Sequence, residues 1–490
     1  MASLEDIRSE RLKKLELLKQ ANQNPFPIHC ERSHTLKEVS DKFDTLSEAK
    51  TEVKLVGRLM ARRGQGALIF FDLFDGTGKF QAVVKKDTLG EESLGLFDAT
   101  VDVGDFVGVT GTLFTTKQGE KTLEASSWQI LAKSLRPLPD KWAGLQDVEE
   151  RFRKRYLDSL TDEVVRNRFT TRSKIITEIR SFLNNEGFLE VETSMLQQLA
   201  GGATATPFVT HHEALDIDLS LRVAPELDLK KMMIGGFPMI YEIGRSFRNE
   251  GIDPTHNPEF TSLEAYAAFS DATAERARVE KLFKDVVHKV FGSDTVTYDG
   301  QTISFAESFA VIKYLDLIKE YTDLDNVMDM SEADLLKEAT KLGLTIDPNL
   351  PKEKIIDHIY KKACRPKVIQ PTFLVDYPVE FAPLAKRRED DPRLIDRFQL
   401  LAGGTELVNG FSELNDPIDQ RARFMEQEKN KAKGDNEAQP KDEDFLEAME
   451  YGMPPACGWG IGIDRLVMLL TDVQTIKEVI YFPTLRPKGE

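Results

Sequence analysis

Cysteine is scarce in this chain: three residues in 490, Cys30, Cys364 and Cys457, far apart and with no CxxC pair. That excludes a disulfide framework, indicates no structural zinc, and is the usage expected in a reducing cytoplasm. No run of about 18 apolar residues occurs, so no membrane-spanning helix is expected. The first twenty residues mix both signs of charge and lack an apolar stretch, so they do not read as a signal peptide. Leu4, Ile7, Leu12, Leu15 and Leu18 suit one face of a helix, either packed on the body or acting as an arm that touches RNA. Positive charge is in deficit, 65 Lys and Arg against 82 Asp and Glu for a net charge of −17. A generally sticky nucleic-acid binder is therefore excluded, though a local basic footprint is not. Neither GxxxxGKS/T nor GxGxxG appears, so neither a P-loop nor a dinucleotide fold is indicated. No internal repeat is present.

What remains is an ordinary globular composition, long enough for two or three domains. Residues 1–51 read as an N-terminal helical extension, broken at 24–27 (NPFP). Five strand-like runs follow within 52–135: Val53–Met60, Leu68–Phe74, Lys79–Val84, Phe106–Phe114 and Lys121–Leu131. Turn signals at 63–66, 75–78 and 117–120 separate them, and 88–99 reads as a short helix. This pattern fits a small Greek-key barrel of the OB type, which commonly binds single-stranded nucleic acid. Within 53–86, Lys54, Arg58, Arg62, Arg63, Lys79, Lys85 and Lys86 face only Asp72 and Asp75, a local excess of five positive charges. Alone, such a run is more often a solvated face than an RNA site. Strand alternation puts Phe70 and Phe74 on one face and Phe71 on the other.

Residues 136–160 read as a hinge that carries a basic cluster at 151–155. Residues 161–490 read as a large α+β domain with a long helix at Val164–Asn185. Within it, 310–370 reads as a helical insertion and 425–449 as a charged, solvated helical stretch.

Three blocks carry chemistry. In the first, APELDLK (224–230) precedes YEIGRSFRNEGIDPTHNPEF (241–260) and LEAY (263–266), which read as an antiparallel hairpin around a turn-rich loop. Arg248 and Glu250, two apart on an expected strand, would leave the same face. An arginine fork is the natural clamp for phosphate or carboxylate, although alone such a pair is more often a surface ion pair. The second block is GGTELVNGFSELND (403–416). The third, CGWGIGIDRLVMLLT (457–471), reads as a glycine-rich strand running into an apolar helix from Arg465. Glycine at alternate strand positions admits close approach, and a helix N-terminus beside an arginine favours phosphate. Taken alone, this block is better read as a tightly packed corner.

Together these blocks resemble a known family. FRNE, HNPEF and GIGIDR look like motifs 2 and 3 of the class II aminoacyl-tRNA synthetases, and GFLEVET (187–193) resembles motif 1. A barrel ahead of the catalytic domain resembles the subclass for aspartate, asparagine and lysine. RPLPDKW, RYLDSL, GGATATPFVTHHEALD, APEL, RNEGIDPTHNPEFT, NGFSELNDP and YGMPP are similar to lysyl-tRNA synthetases. The likeness covers about residues 50–487. It implies an α+β protein: an N-terminal five-stranded OB-fold anticodon-binding barrel, then a class II catalytic domain on an antiparallel sheet flanked by helices. The implied activity is ATP-dependent ligation of L-lysine to tRNA(Lys) with Mg²⁺, in a cytoplasmic homodimer.

The resemblance also implies roles for residues. Arg248 would hold the α-phosphate and the amino-acid carboxylate. Glu250 and His256 belong to the ATP loop. Phe260 and Arg465 would sandwich adenine, and Arg465 would also face the γ-phosphate. Glu406 would bind Mg²⁺. Burying the substrate ammonium requires carboxylates, supplied by Glu264 and Glu413 with Tyr266 as a hydrogen-bonding partner. Glu226 and backbone near Gly202 would hold the α-amine, and Asn409 the carboxylate. In the barrel, Phe70 would stack an anticodon base beside Arg63 and Gln81.

Three positions depart from the family pattern. Ser194 replaces a motif 1 proline, Gln399 stands where a second magnesium-binding glutamate is expected, and Asp228 replaces a tyrosine. Other readings are a paralogue that modifies a protein or senses lysine, a non-catalytic RNA-binding module, and an aspartyl or asparaginyl enzyme. The full-length barrel opposes the first, and intact Arg248, Glu250, Glu406 and Arg465 oppose the second. Glu264 and Glu413 oppose the third.

Overall fold

The computed structural model describes residues 3–64, 66–139, 145–203, 205–432 and 440–488, which fall into two compact units, 1–146 and 147–490. Gln65 in the first expected turn, 140–144 in the expected hinge, Thr204, and 433–439 in the charged stretch lie outside the described residues.

In the first unit, β1 (Val53–Arg63), β2 (Leu68–Phe74), β3 (Lys79–Lys85), β4 (Phe106–Thr115) and β5 (Lys121–Ala132) close a barrel in the order β1-β2-β3-β5-β4. Period-two alternation fills it: Ile69, Phe71 and Leu73 are buried, while Phe70, Asp72 and Phe74 between them are half-buried on the outer face. The helix Leu4–Gln20 is tied down on this barrel. Its Leu15 and Leu18 are buried, and Arg11 donates to the carbonyls of Val103, Ser134 and Arg136 at 3.0–3.2 Å.

The positive excess in 53–86 is not a free basic stripe. Lys54 pairs with Glu31, Arg62 with Asp98, Lys85 with Glu124 and Lys86 with Glu91. Counting charge within 53–86 misses these acids because all four lie outside that window, Glu31 before it and Glu91, Asp98 and Glu124 after it.

The second unit is built on an eight-stranded sheet. In chain order its strands are β6 (Leu189–Glu190), β10 (Met239–Phe247), β11 (Glu259–Ala268), β14 (Ala310–Lys313), β15 (Thr372–Pro378), β16 (Leu394–Ala402), β17 (Thr405–Ser412) and β18 (Ala456–Gly462). The intervening strands β7 (Leu196–Gln197), β8 (Val209–His212) and β9 (Ile217–Leu221) form a three-stranded sheet, and β12 (Thr295–Tyr298) and β13 (Gln301–Ser304) a hairpin. The large sheet runs β14-β15-β16-β17-β18-β11-β10-β6, antiparallel except where β14 meets β15 and β10 meets β6.

Alternation divides two cores between its faces. Leu263, Ala265, Phe398, Leu400, Trp459 and Ile461 pack with the helices Glu163–Asn185, Ala272–Phe291 and Ile463–Leu470. Tyr266, Tyr377, Ile395, Phe411 and Ala456 join the opposite core, with the helices Glu226–Ile234, Tyr314–Thr322 and Lys352–Ile359.

Several expectations need correction. β10 ends at Phe247, so Arg248 and Glu250 stand in the following loop and strand alternation does not place them on one face. The helix after β18 starts at Ile463, two residues before Arg465, because Gly462 already turns the chain as its N-cap. Residues 310–313 of the expected insertion are strand β14 of the main sheet; helix begins at Tyr314. The basic cluster at 151–155 is structural. Arg155 is fully buried against Asp158 and Arg151 bonds Asp158 at 2.9 Å, so two short helices of the second unit occupy the end of the expected hinge. The charged stretch is not solvated throughout, since Phe445, Leu446 and Met449 of the helix Glu443–Glu450 are buried.

Candidate active site

One transverse row of the sheet carries much of the site. Gln399 of β16 lies opposite Asn409 of β17, Asn409 opposite Gly460 of β18, Gly460 opposite Glu264 of β11, and Glu264 opposite Glu242 of β10. One step along, Phe411, Gly458 and Tyr266 are aligned in the same way. The side chains of both rows that reach the site share the face on which Tyr266 and Phe411 pack. The glycine-rich strand makes this possible. A Cβ at Gly458 would come within 2.3 Å of the Tyr266 ring and 2.4 Å of Glu413 Oε1.

Glu226, Glu264 and Glu413 converge at one end of the site. The Tyr266 hydroxyl donates to Glu264 Oε2 at 2.9 Å. Lys230, one turn after Glu226 on the helix Glu226–Ile234, bonds Glu226 at 2.6 Å and makes an ion contact with Glu413. Neither Glu413 oxygen meets hydrogen-bond geometry with any partner. Burial, with the neighbouring Glu226 carboxylate adding to it, pushes the Glu264 carboxyl up to about 8. Burial likewise pushes Glu413 up to about 8, with Lys230 opposing and Glu226 and Glu264 adding to the rise. Although burial favours a neutral amine, Glu226 and Glu413 hold the Lys230 pKa above the ordinary lysine value. With all groups ionised, three carboxylates face one ammonium, a deficit of two positive charges.

Gly202 packs on this cluster with φ +88°, and a Cβ there would stand 2.9 Å from that of Glu226. Only glycine lets the loop lie this close to the start of the helix.

Arg248 stands 5.1 Å from the Phe260 ring centroid, its buried Nε without a hydrogen-bond partner. Burial lowers its pKa, against the pull of Glu250 and Glu264. Its backbone N–H donates to Pro258 across the loop at 2.9 Å. Glu250 itself is exposed. In that loop His256 Nδ1 lies 2.7 Å from Asp253, and Arg465 donates to His256 Nε2 at 2.9 Å. A neutral imidazole that donates from Nδ1 and accepts at Nε2 satisfies both contacts. Asn409 accepts at Oδ1 from Arg397 at 2.9 Å, which leaves its amide hydrogens for a ligand.

Glu406 is half-buried and accepts from Gln399 Nε2 at 2.9 Å. Among the described residues no three His, Cys, Asp or Glu side chains are grouped to hold a metal. Glu406 fits as the one protein carboxylate for a magnesium ion whose remaining ligands are phosphate and water. Gln399 does not fit as a ligand. Its Oε1 already accepts from Tyr377 at 2.5 Å and Tyr360 at 3.0 Å.

The other two departures have local explanations. Ser194 is exposed, and its segment is anchored next door, where Thr193 Oγ1 donates to Glu242 at 2.7 Å and Arg222 closes the buried pair. Asp228 accepts from Gln197 at 2.9 Å. In the first unit, Arg63 donates to Gln81 Oε1 at 2.8 Å, and β1–β2 register sets Arg63 beside Phe70.

Lys230, Tyr360, Tyr377 and Arg397 are the residues of this neighbourhood that the sequence reading did not assign. For Lys230 a signal existed, because Glu226 and Lys230 are spaced i,i+4 on a helix. The two tyrosines and Arg397 come from separate segments and left none.

Residues 147–486 match the family described as tRNA synthetases class II (D, K and N), and residues 53–131 match the OB-fold nucleic acid binding domain. A lysine–tRNA ligase of Pelotomaculum thermopropionicum is 47% identical over 487 residues, covering 99% of this chain and 96% of that protein. The chain belongs to the class II lysine–tRNA ligase family. Other lysine–tRNA ligases, from Enterococcus faecalis and Gloeobacter violaceus, are 46% and 45% identical, each covering 99% of both chains. This class II family member accordingly joins an OB-fold barrel to a synthetase domain. Among the described residues, no helix is long and apolar enough to cross a membrane.

Proposed function

We propose that the protein is a cytoplasmic ATP-dependent lysine–tRNA ligase that forms lysyl-adenylate and then charges tRNA(Lys). The observation that carries this reading is the convergence of three buried carboxyl groups, Glu226, Glu264 and Glu413, on a single internal ammonium, Lys230. L-Lysine brings two ammonium groups. Its α-ammonium suits Glu226 beside Gly202, and its ε-ammonium suits Glu264 and Glu413 with Tyr266. An aspartate or asparagine side chain would leave the acidic end uncompensated, and unpaired buried charge is costly.

Adenylation is an in-line attack by the lysine carboxylate on the α-phosphorus of ATP, with pyrophosphate leaving. It needs no protein nucleophile, only alignment and charge neutralisation. Arg248, with its unpartnered Nε, would clamp the carboxylate and α-phosphate, while Asn409 donates to the carboxylate. Phe260 and Arg465 would hold adenine, with Glu250 and His256 closing the ATP loop. Glu406 would hold Mg²⁺, which would supply charge neutralisation on the phosphates. A 3′-terminal ribose hydroxyl of tRNA then attacks the acyl carbon and AMP leaves. Phe70, with Arg63 and Gln81 on the outer barrel face, would read an anticodon base.

A homodimer is part of this proposal. Leu189, Met195, Leu196 and Leu199 in and after motif 1 are exposed apolar side chains, suited to a second copy.

The test is ATP–pyrophosphate exchange across the amino acids. Exchange with lysine, and none with aspartate or asparagine, is expected; exchange driven by another amino acid overturns the assignment.

A further inference from the structure

The Gln399–Glu406 contact has a defined polarity. An ionised carboxylate only accepts, so the amide must turn its NH₂ toward Glu406 and its oxygen away. That oxygen has two lone pairs, and the hydroxyls of Tyr360 and Tyr377 take both. All three residues are buried, Gln399 at 4% exposure, and they come from three segments: the π-helical turn Tyr360–Cys364, β15 and β16. The amide is therefore locked from behind. The bulge between Leu400 and Leu401 lets Glu406 of β17 fall within reach of position 399.

A glutamate at 399 would behave differently. The same two tyrosines would hold one of its oxygens, and the other would face Glu406 at hydrogen-bond distance. Two carboxylates so placed demand a shared proton or a cation between them. The amide removes that demand and leaves no lone pair on residue 399 to ligate one.

We propose, on the reading of the site as an ATP-dependent ligase, that Gln399 is a positioning residue. It holds Glu406 by an amide hydrogen bond in place of a second cation, so this active site takes one divalent ion fewer than the same site with glutamate at 399. Glu406 is thereby pre-aligned before nucleotide arrives, and adenylation needs no divalent ion beyond those that ATP brings.

The experiment counts Mn²⁺ by electron paramagnetic resonance on the full-length protein, with α,β-methylene-ATP and lysine, for wild type and Gln399→Glu. One additional tightly bound Mn²⁺ per chain is expected in Gln399→Glu; equal counts overturn the proposal. In parallel, pyrophosphate exchange is measured as Mg²⁺ is raised from equimolar with ATP to several-fold excess. Wild type should change less than about twofold and Gln399→Glu should rise about tenfold, as its carboxylate pair is neutralised. A wild-type requirement for excess Mg²⁺ as steep as that of the variant counts against it.

Gln399→Leu keeps the test independent of folding around a second charge. It should bind no extra Mn²⁺ yet show a raised KM for ATP, because Glu406 loses its clamp; an unchanged KM overturns the positioning role. If the analogue binds neither wild type nor variant, the ligase reading fails first and takes this proposal with it.

Discussion

Lys230 sets its ammonium against the carboxylate of Glu413, so a pocket suited to a substrate ammonium already holds one of the protein's own. The internal cation offsets part of the cost of gathering carboxylates without satisfying them all. Glu413→Gln should leave Lys230 with Glu226 alone and under-neutralise the incoming side chain. A loss of roughly 2–5 kcal/mol in kcat/KM for lysine is expected, as when a buried charge loses a partner. Glu264→Gln should behave similarly. Lysine titrations of pyrophosphate exchange check both, and unchanged kinetics in the two variants would remove the ammonium pocket from this place.

Lysine binding should be linked to pH. Glu264 and Glu413 have carboxyls near 8 in the free protein, so both are largely protonated at pH 6.5 and ionised above 8. A cationic ligand favours the ionised forms and must expel their protons when it binds at lower pH. Apparent affinity should therefore strengthen as pH rises through about 8, below the ordinary range of about 10 for an amine side chain. Calorimetry at pH 7 in buffers of different ionisation enthalpy should register proton release. Proton uptake, or affinity that weakens between pH 6.5 and 8, has the wrong sign.

Arg248→Lys keeps the charge but loses the planar fork, and lysine cannot bridge carboxylate and phosphate as two parallel donors. Adenylate formation should fall by at least about a hundredfold, in line with the loss of an oriented charge-stabilising donor. Single-turnover adenylation is the measurement, and near-normal rates in the lysine variant would show that Arg248 is not the clamp.

Phe70→Ala addresses the barrel. Base stacking on an aromatic ring is worth about 1–3 kcal/mol, so tRNA charging should drop by about tenfold or more. Pyrophosphate exchange, which needs no tRNA, should stay near wild type. Because Phe71, not Phe70, fills the barrel, equal loss in both assays would contradict the outer-face role.

The apolar surface around Leu189 and Leu196 predicts self-association. Sedimentation at micromolar concentration should give about twice the chain mass of 55.4 kDa. Leu196→Asp should shift it toward the single-chain value, since a buried unpaired charge opposes the interface. A wild-type mass near 55 kDa rules the dimer out.

Much of this architecture was legible because it rests on local periodicity. The five barrel runs alternate cleanly, so all five strands were placed within three residues of their ends. Phe70 and Phe71 were assigned to opposite faces for the same reason. The site was legible mainly through its resemblance to a family. Periodicity sets Glu264 and Tyr266 on one face, but Asn409 and Gln399 come alongside only through β18, whose pairing with β11 joins residues such as Glu264 and Gly460 that are far apart in sequence. Loops are the least legible: Arg248 reads as a strand residue because its segment continues the alternating pattern and its N–H still bonds Pro258, yet the strand itself ends at Phe247. The tyrosine lock on Gln399 had no sequence signature, since Tyr360 sits in a helix and Tyr377 in a strand.

The row from Gln399 through Asn409 and Gly460 to Glu264 has an evolutionary consequence. Spacing along it is fixed by the sheet at about 4.8 Å per strand, so the backbone serves as the ruler between Gln399 and the carboxylate cluster at Glu264. Point substitutions can retune individual contacts without disturbing that ruler. A single-residue insertion or deletion inside β17 would instead send Asn409 to the opposite face, among Phe398 and Trp459. Change in this protein is thus confined to a narrow channel: its active-site strands can drift in composition but hardly in length, and variation in length is left to the loops.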